Sequence, residues 1–397
     1  MRSTKAVIYS ENLRANVREI QKNLQSGVRL CCAVKANGYG NDAVNSARIF
    51  EELGAEYLAI AAVSEGIELR AAGIRTKLLL LSLASPSEFD LIVKNGITPL
   101  VFDEEYIAEF EKACKRNTVS SAKNAGHIKY GVFLAVDTGM GRIGCLPSEA
   151  ASLAERISCS KWITLDGMIT HFAVSDSISP ENIAYTRAQY AAFMDAEQAI
   201  RARGINPGIR TCAASAASMA FPEFQLDMVR PGIILYGYYA DEVTKDYLLQ
   251  KGVPLALRPV MQFETEVCAI RRFSAGKSVS YGRTWCAQTD TDIAVLPVGY
   301  ADGLLRRNSP GLCVTINGRA YPIVGRICMD QCMVDIGLNN PDVKRWDKAV
   351  LFGPKKDAEH PEAEALFDAD DLARMTGTIS YEIMTSIPTS RVSRVLG

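Results

Sequence analysis

The chain has 397 residues, 48% hydrophobic and 22% charged, with a formal net charge of -1. Such a length buries a large core and predicts two domains, and a balanced charge without any Lys/Arg block excludes a general pull toward nucleic acid or an anionic membrane surface. The first residues lack the continuous apolar core of a signal peptide and no apolar run is long enough to cross a bilayer, so the cytoplasm is the expected compartment.

In chain order, residues 29 to about 240 alternate short apolar runs with longer amphipathic segments. The runs are VRLCCAV, YLAIAAV, KLLLLSL, ITPLVF, HIKYGVFLAV, ITLDGMITHF, GIRTCAA and MVRPGIILYG. Between them lie helix-like stretches such as SEGIELRAAG, PSEFDLIVKNG, DEEYIAEFEKACKRN and NIAYTRAQYAAFMDAEQAIRARG, several opening on Ser, Asp or Asn and closing near Gly. Eight strands each followed by a helix predict a (β/α)₈ barrel over residues 1–244. A doubly wound open sheet is the alternative, disfavoured by the strand count and the missing GxGxxG turn. The polar stretch YYADEVTKDYLLQKGVP reads as a linker. Residues 245–397 then read as a mainly β domain, with INGRAYPI as a hairpin and DADDLARMTG as its one convincing helix.

Eleven cysteines are an odd number, and the nearest pairs, Cys31–Cys32 and Cys328–Cys332, lack CxxC spacing; scattered buried thiols in a reducing compartment are expected. With only three histidines, His127, His171 and His360, no metal centre is expected.

Barrel enzymes act at the C-terminal ends of their strands. Five such ends carry unusual polar residues: Lys35, Arg142 in DTGMGR, His171 in THF, Ser215 in CAASAAS, and Arg230 with Gly232 and Ile233 in VRPGI. Each has an ordinary explanation alone. A lysine snorkels, an arginine pairs with a surface acid, a histidine sits satisfied in a core. Together they converge on one mouth. Loops after strands seven and eight often cradle phosphate, Ser215 opens a predicted helix, and Gly232 permits close backbone approach. A phosphate there and a lysine on strand one point to pyridoxal phosphate as one reading.

The ordered motifs AVKANGYG, DTGMGRIG, MITHFA, SAAS…DMVRPGI, VSYG, VGYADG, VGRICMDQ and TISYEI resemble those of bacterial alanine racemases along nearly the whole chain. The resemblance implies pyridoxal phosphate, a homodimer with shared active sites, and alanine as substrate, with D-alanine supplied to peptidoglycan. It implies Lys35 as the lysine that binds the cofactor, and Tyr39, Ser215, Gly232, Ile233 and Tyr381 as the residues that hold its phosphate. It further implies Arg230 facing the pyridine nitrogen, Arg142 near the phenolic oxygen and the substrate carboxylate, and His171 beside the ring. Tyr281 matches the second acid/base, contributed by the partner subunit, and Met329 the backbone that helps bind the substrate carboxylate. Asp330 is implied as a supporting residue and Tyr300 as part of the entrance.

Racemisation removes a proton from one face of the α-carbon and returns one to the other, so Lys35 and Tyr281 would serve opposite faces. Several positions depart from the pattern. Ala135 stands where many relatives carry a lysine, often carbamylated, that supports the arginine. Asn41 stands where many have His, Thr211 and Ala214 replace a His and an Asn, and Ser393 replaces a proline. Rivals to alanine racemisation are racemisation of serine or another small amino acid, and a non-catalytic protein that binds pyridoxal phosphate. Tyr381 crowds the site and favours a small side chain; the second domain with Tyr281 speaks against the non-catalytic rival.

Overall fold

The computed structural model describes residues 3–121, 129–309, 311–356 and 363–397, so His127 and His360 lie outside the described residues. Its first half contains the expected barrel. The parallel strands are Arg29–Ala33, Tyr57–Ile60, Lys77–Leu80, Ile97–Thr98 continued by Leu100–Val101, Tyr130–Ala135, Ile163–Ile169, Ile209–Thr211 and Met228–Val229. The last pairs back onto the first, and an Ala214–Arg230 bridge joins the seventh to the eighth. Pro99, which has no N–H to donate, splits the fourth strand: one piece pairs with Leu78–Leu79, the other with Phe133–Leu134. The strands read as continuous apolar runs because helices cover one face and the barrel interior the other. Cys31, Cys32, Leu58, Leu79, Phe133 and Leu134 are accordingly fully buried.

Strand eight differs from the expected pattern. It leads into a 3₁₀ turn, Ile233–Tyr236, rather than a covering helix. The helix Ser10–Lys22 covers that place instead, with the Asn16 side-chain amide donating to the carbonyls of Leu235 (3.0 Å) and Arg258 (2.8 Å). The stretch read as a linker holds a short helix, Lys245–Gln250, whose Thr244 hydroxyl accepts from the Tyr247 N–H.

The second half is built on a nine-stranded sheet. Asn317 and Gly318, at φ 49° and 78°, form the predicted two-residue hairpin between Cys313–Ile316 and Arg319–Val324. The run VMQFETEVCAIRRF divides into Met261–Glu266 and Ala269–Phe273. The predicted helix is Ala369–Thr376, capped by Asp368 and ended by Gly377 at φ 68°. One strand of this sheet comes from the start of the chain. Lys5–Ile8 lies between Met261–Glu266, antiparallel, and Ser393–Leu396, parallel. These residues therefore stand outside the barrel to which 1–244 was assigned; their partners lie hundreds of residues away, where local patterning carries no signal. Among the described residues no helix is long and apolar enough to cross a membrane, and no cluster of metal-ligating side chains occurs. The cysteines are free thiols.

Candidate active site

Lys35 leaves the tip of the first barrel strand, and the backbone after it turns the wrong way for L-residues. Ala36, Asn37, Gly38 and Tyr39 have φ of 52°, 54°, 61° and 53°. A left-handed conformation costs a residue with a Cβ about 1–2 kcal/mol, so the surroundings must impose this turn. The Glu65 carboxylate accepts from the Ala36 N–H at 2.6 Å, and the Asn37 Oδ1 accepts from the Ala43 N–H at 3.0 Å. The Asn41 amide donates to the carbonyls of Gly38 and Tyr39 at 3.1 and 3.0 Å. Arg394 Nε donates to the Gly40 carbonyl at 2.9 Å, and a Cβ on Gly40 would stand 2.4 Å from the Met384 oxygen. So held, the turn swings Tyr39 inward, stacked on Tyr236 at 5.1 Å and 5.8 Å from the Tyr381 ring.

Two adjoining cavities open above the strand ends. Lys35, His171 and Arg230 line both. One, of about 260 Å³, runs toward Arg142 and Ala135; the other, of about 400 Å³, toward Tyr39, Ser215, Gly232, Ile233 and Tyr381. The structure thus gathers all nine of the predicted barrel-side and phosphate-side residues at one mouth. In the second cavity Gly232 carries a steric requirement: a Cβ there would stand 2.5 Å from the Tyr39 hydroxyl. The Gly232 N–H donates to Ser215 Oγ at 2.8 Å, at the start of the short helix Ser215–Ala220. Burial pushes the Tyr39 hydroxyl up to about 12 and raises that of Tyr381 as well, so both remain neutral donors.

The charges beside Lys35 are mostly positive. Burial, then the Arg142 cation, lowers the Lys35 pKa; Glu65 opposes them and Arg230 adds to the lowering. An amine so placed loses its proton more readily than an exposed lysine, as a nucleophile or base must. Arg230 is buried and its partners are neutral: Thr211 Oγ1 (2.7 Å), the carbonyls of Thr170 (2.7 Å) and Cys212 (3.3 Å), and His171 Nδ1 (3.3 Å). Burial lowers its pKa to about 10, which leaves it cationic at neutral pH. Thr211 therefore supplies an acceptor. Arg142 is exposed and makes no hydrogen bond or ion pair among the described residues; the methyl of Ala135 lines the same cavity.

His171 is held neutral. Burial and then Arg230, Arg142 and Lys35 lower its pKa to about 3. Since an arginine can only donate, Nδ1 accepts and the proton sits on Nε2. With its folded pKa below the ordinary 6.5, His171 takes up no proton until the pH approaches 3. ¹⁵N NMR should therefore show one imidazole, assigned by its loss in His171→Gln, that stays in the Nε2–H form from pH 8 to pH 5. A midpoint near 6.5 for that signal contradicts this environment.

Four predicted residues lie elsewhere. Tyr281, Tyr300, Met329 and Asp330 belong to the second half and line neither cavity. Tyr281 is 69% exposed on a turn where Ser280, Gly282 and Arg283 have positive φ. Ser280 Oγ donates to the Arg326 carbonyl and lies 3.5 Å from Cys328 Sγ, while the Tyr300 N–H donates to the Cys328 carbonyl. Tyr281, Tyr300 and the 51%-exposed Met329 thus crowd around one loop and project outward. The sequence reading passed over Glu65. Its available signal was a carboxylate in the first turn of the helix Val63–Ala71, where it also accepts from the Ala61 N–H at 2.8 Å.

A closed parallel barrel with an amine, two guanidiniums and a neutral imidazole at its mouth, followed by a mainly β domain, defines a class of two-domain barrel proteins with a site suited to nucleophilic and acid–base chemistry. The model of the alanine racemase N-terminal domain matches residues 8–240 and that of the C-terminal domain residues 260–396. The chain belongs to the alanine racemase family. It is 44% identical to an alanine racemase of Treponema denticola over all of this chain and 98% of that one, and 40% identical to one of Treponema pallidum over 100% and 99%. Among solved structures, an alanine racemase of Clostridium difficile 630 superposes with a TM-score of 0.88 at 35% identity, covering 100% of this chain and 96% of that chain. One from Streptomyces lavendulae superposes with 0.85 at 31%, covering 100% and 97%.

Proposed function

We propose that this chain interconverts L- and D-alanine, with pyridoxal phosphate at the barrel mouth and each site completed by a second copy of the chain. The observation that carries the reading is the placement of Lys35. Its desolvated amine stands where the cavity lined by Tyr39, Ser215, Gly232 and Tyr381 meets a chamber bearing Arg142. The residues present fit the cofactor: a glycine where a Cβ would collide, two neutral phenols, and cations for an anionic ring. Bound there, pyridoxal phosphate would supply the electron sink that acidifies the α-hydrogen of an amino acid.

The chain's own groups would divide the remaining work. Ser215, Gly232, Ile233, Tyr39 and Tyr381 would hold the phosphate. Arg230 would face the ring nitrogen as a donor, which would keep that nitrogen unprotonated. Arg142 would bind near the phenolic oxygen and take the substrate carboxylate, helped by the backbone at Met329 of the partner subunit. Lys35 moves the proton on one face of the α-carbon and Tyr281 of the partner subunit on the other. Neutral His171 offers its Nε2–H beside the ring. Tyr381 narrows the substrate space, which favours alanine over serine. The domains divide as a barrel from residue 10 to 244 and a β domain of 245–397 with Lys5–Ile8. Free thiols suit a reducing cytoplasm, where the product would feed peptidoglycan synthesis.

With pyridoxal phosphate added, L-alanine should lose its optical rotation; retained rotation overturns the reading in favour of a non-catalytic binding protein, and loss of L-serine rotation alone in favour of a serine racemase. A narrower result is expected at the cradle. Gly232→Ala places a methyl against the Tyr39 hydroxyl, a clash worth about 1–3 kcal/mol. Cofactor affinity should fall at least about tenfold in an absorbance titration; unchanged affinity would place the phosphate elsewhere.

A further inference from the structure

The loop Cys328–Asp330 and the turn Gly299–Gly303 lie against each other with almost no clearance. A Cβ on Gly299 would stand 2.3 Å from the carbonyl oxygens of both Cys328 and Met329. The Tyr300 and Ala301 N–H groups donate to those two carbonyls at 3.0 Å each. Across this junction sits Arg391. Its Nε binds Asp302 Oδ1 at 2.8 Å and its Nη2 binds Asp330 Oδ1 at 2.5 Å. Asp302 is fully buried, and its other oxygen accepts from the Gly299 N–H at 3.0 Å. One guanidinium thus ties the turn to the loop that carries Met329. Three residues on, Arg394 binds the Gly40 carbonyl of the Lys35 turn and the Ile387 carbonyl at 2.7 Å. The same segment braces the lysine and the outward-facing loop of its own chain.

We infer that Arg391 is a positioning residue for the substrate carboxylate: it fixes the Met329 loop that this chain lends to its partner's site. The inference rests on the shared-site reading above. Arg391 touches neither cavity, so it acts through the loop. Without it the loop keeps its backbone bonds to the turn but loses the charged fork, and the buried Asp302 carboxylate loses its ion pair with Arg391. Substrate capture should suffer more than turnover.

Mixed dimers separate this role from general support of the fold. A Lys35→Ala chain paired with a Tyr281→Ala chain leaves one intact site, whose lysine comes from the second chain and whose loop comes from the first. Arg391→Met added to the first chain should raise the alanine KM of that site about tenfold with kcat changed less than about twofold. Added to the second chain, it should raise KM by clearly less. Arg391→Lys should recover most of the lost affinity. Equal KM effects in the two arrangements, or none, overturn the inference. If the Arg391→Met chain does not fold, Asp330→Asn replaces only the 56%-exposed carboxylate of the pair. The same asymmetry, about threefold, is then expected, and its absence is equally decisive. A parent hybrid without any Arg391 change that shows no activity refutes the shared site itself, and the inference falls with it; an active parent with symmetric effects refutes the inference alone.

Discussion

Lys35→Ala lowers racemisation of alanine by at least about a thousandfold. The amine would hold the cofactor and also serve as one of the two proton-transfer groups, and loss of a positioned acid/base alone costs about 10²–10⁴ in rate. No neighbour can stand in: the other nitrogen groups at the mouth are two guanidiniums and an imidazole that stays neutral with its Nδ1 engaged. The variant should still fold, because Lys35 is half-buried at a cavity edge and its turn is held by Glu65, Asn37, Asn41 and Arg394 rather than by its own amine. Borohydride reduction of the wild-type holoenzyme followed by peptide mapping gives the complementary result, a label on the peptide containing Lys35. A label on another lysine, or a variant with near-normal turnover, removes Lys35 from its place.

The second large effect is recovery from two dead proteins. Tyr281→Ala should be nearly inactive alone, like Lys35→Ala. Mixed and allowed to exchange, the two form hybrids in which one site carries both defects and the other neither. With random exchange of equal amounts about half the dimers are hybrids, each with one of two sites intact, so activity should return to about a quarter of wild type. The motivation is geometric. Within one chain Tyr281 is turned outward on the second half while Lys35 sits at the barrel mouth, and the cavities around Lys35 are lined by other residues. Verified hybrids with no activity would mean that Tyr281 serves no site across the interface.

Much of the barrel was legible because its strands are buried on both faces. VRLCCAV, KLLLLSL and ITPLVF stand out as apolar runs, and capping residues mark the helices between them. The strand Lys5–Ile8 was not legible: four residues of ordinary alternation say nothing of partners near residues 264 and 394. The 3₁₀ turn at Ile233–Tyr236 was hidden for a related reason, since MVRPGIILYG is apolar enough for either strand or core turn. At the site, Lys35, Arg142, His171, Ser215, Arg230 and Gly232 could be placed together because strand order converges on one end. The phosphate-side tyrosines and the outward group came only through the resemblance. Glu65 and Arg391 stayed invisible because each acts by bonding to backbone or to a distant carboxylate, and no local spacing records that.

The position of Lys5–Ile8 also sets an order of events during folding. This strand precedes the barrel in the chain, yet its two flanking strands, Met261–Glu266 and Ser393–Leu396, both follow it. Contacts of such sequence separation form late and slowly. The last segment also supplies Arg394 to the strained turn after Lys35. The barrel can therefore collapse on the growing chain with Glu65, Asn37 and Asn41 already holding the lysine turn, while the Arg394 bond waits until Ser393–Leu396 pairs with Lys5–Ile8. Of the bonds that hold the turn after Lys35, the one from Arg394 is therefore expected to form last.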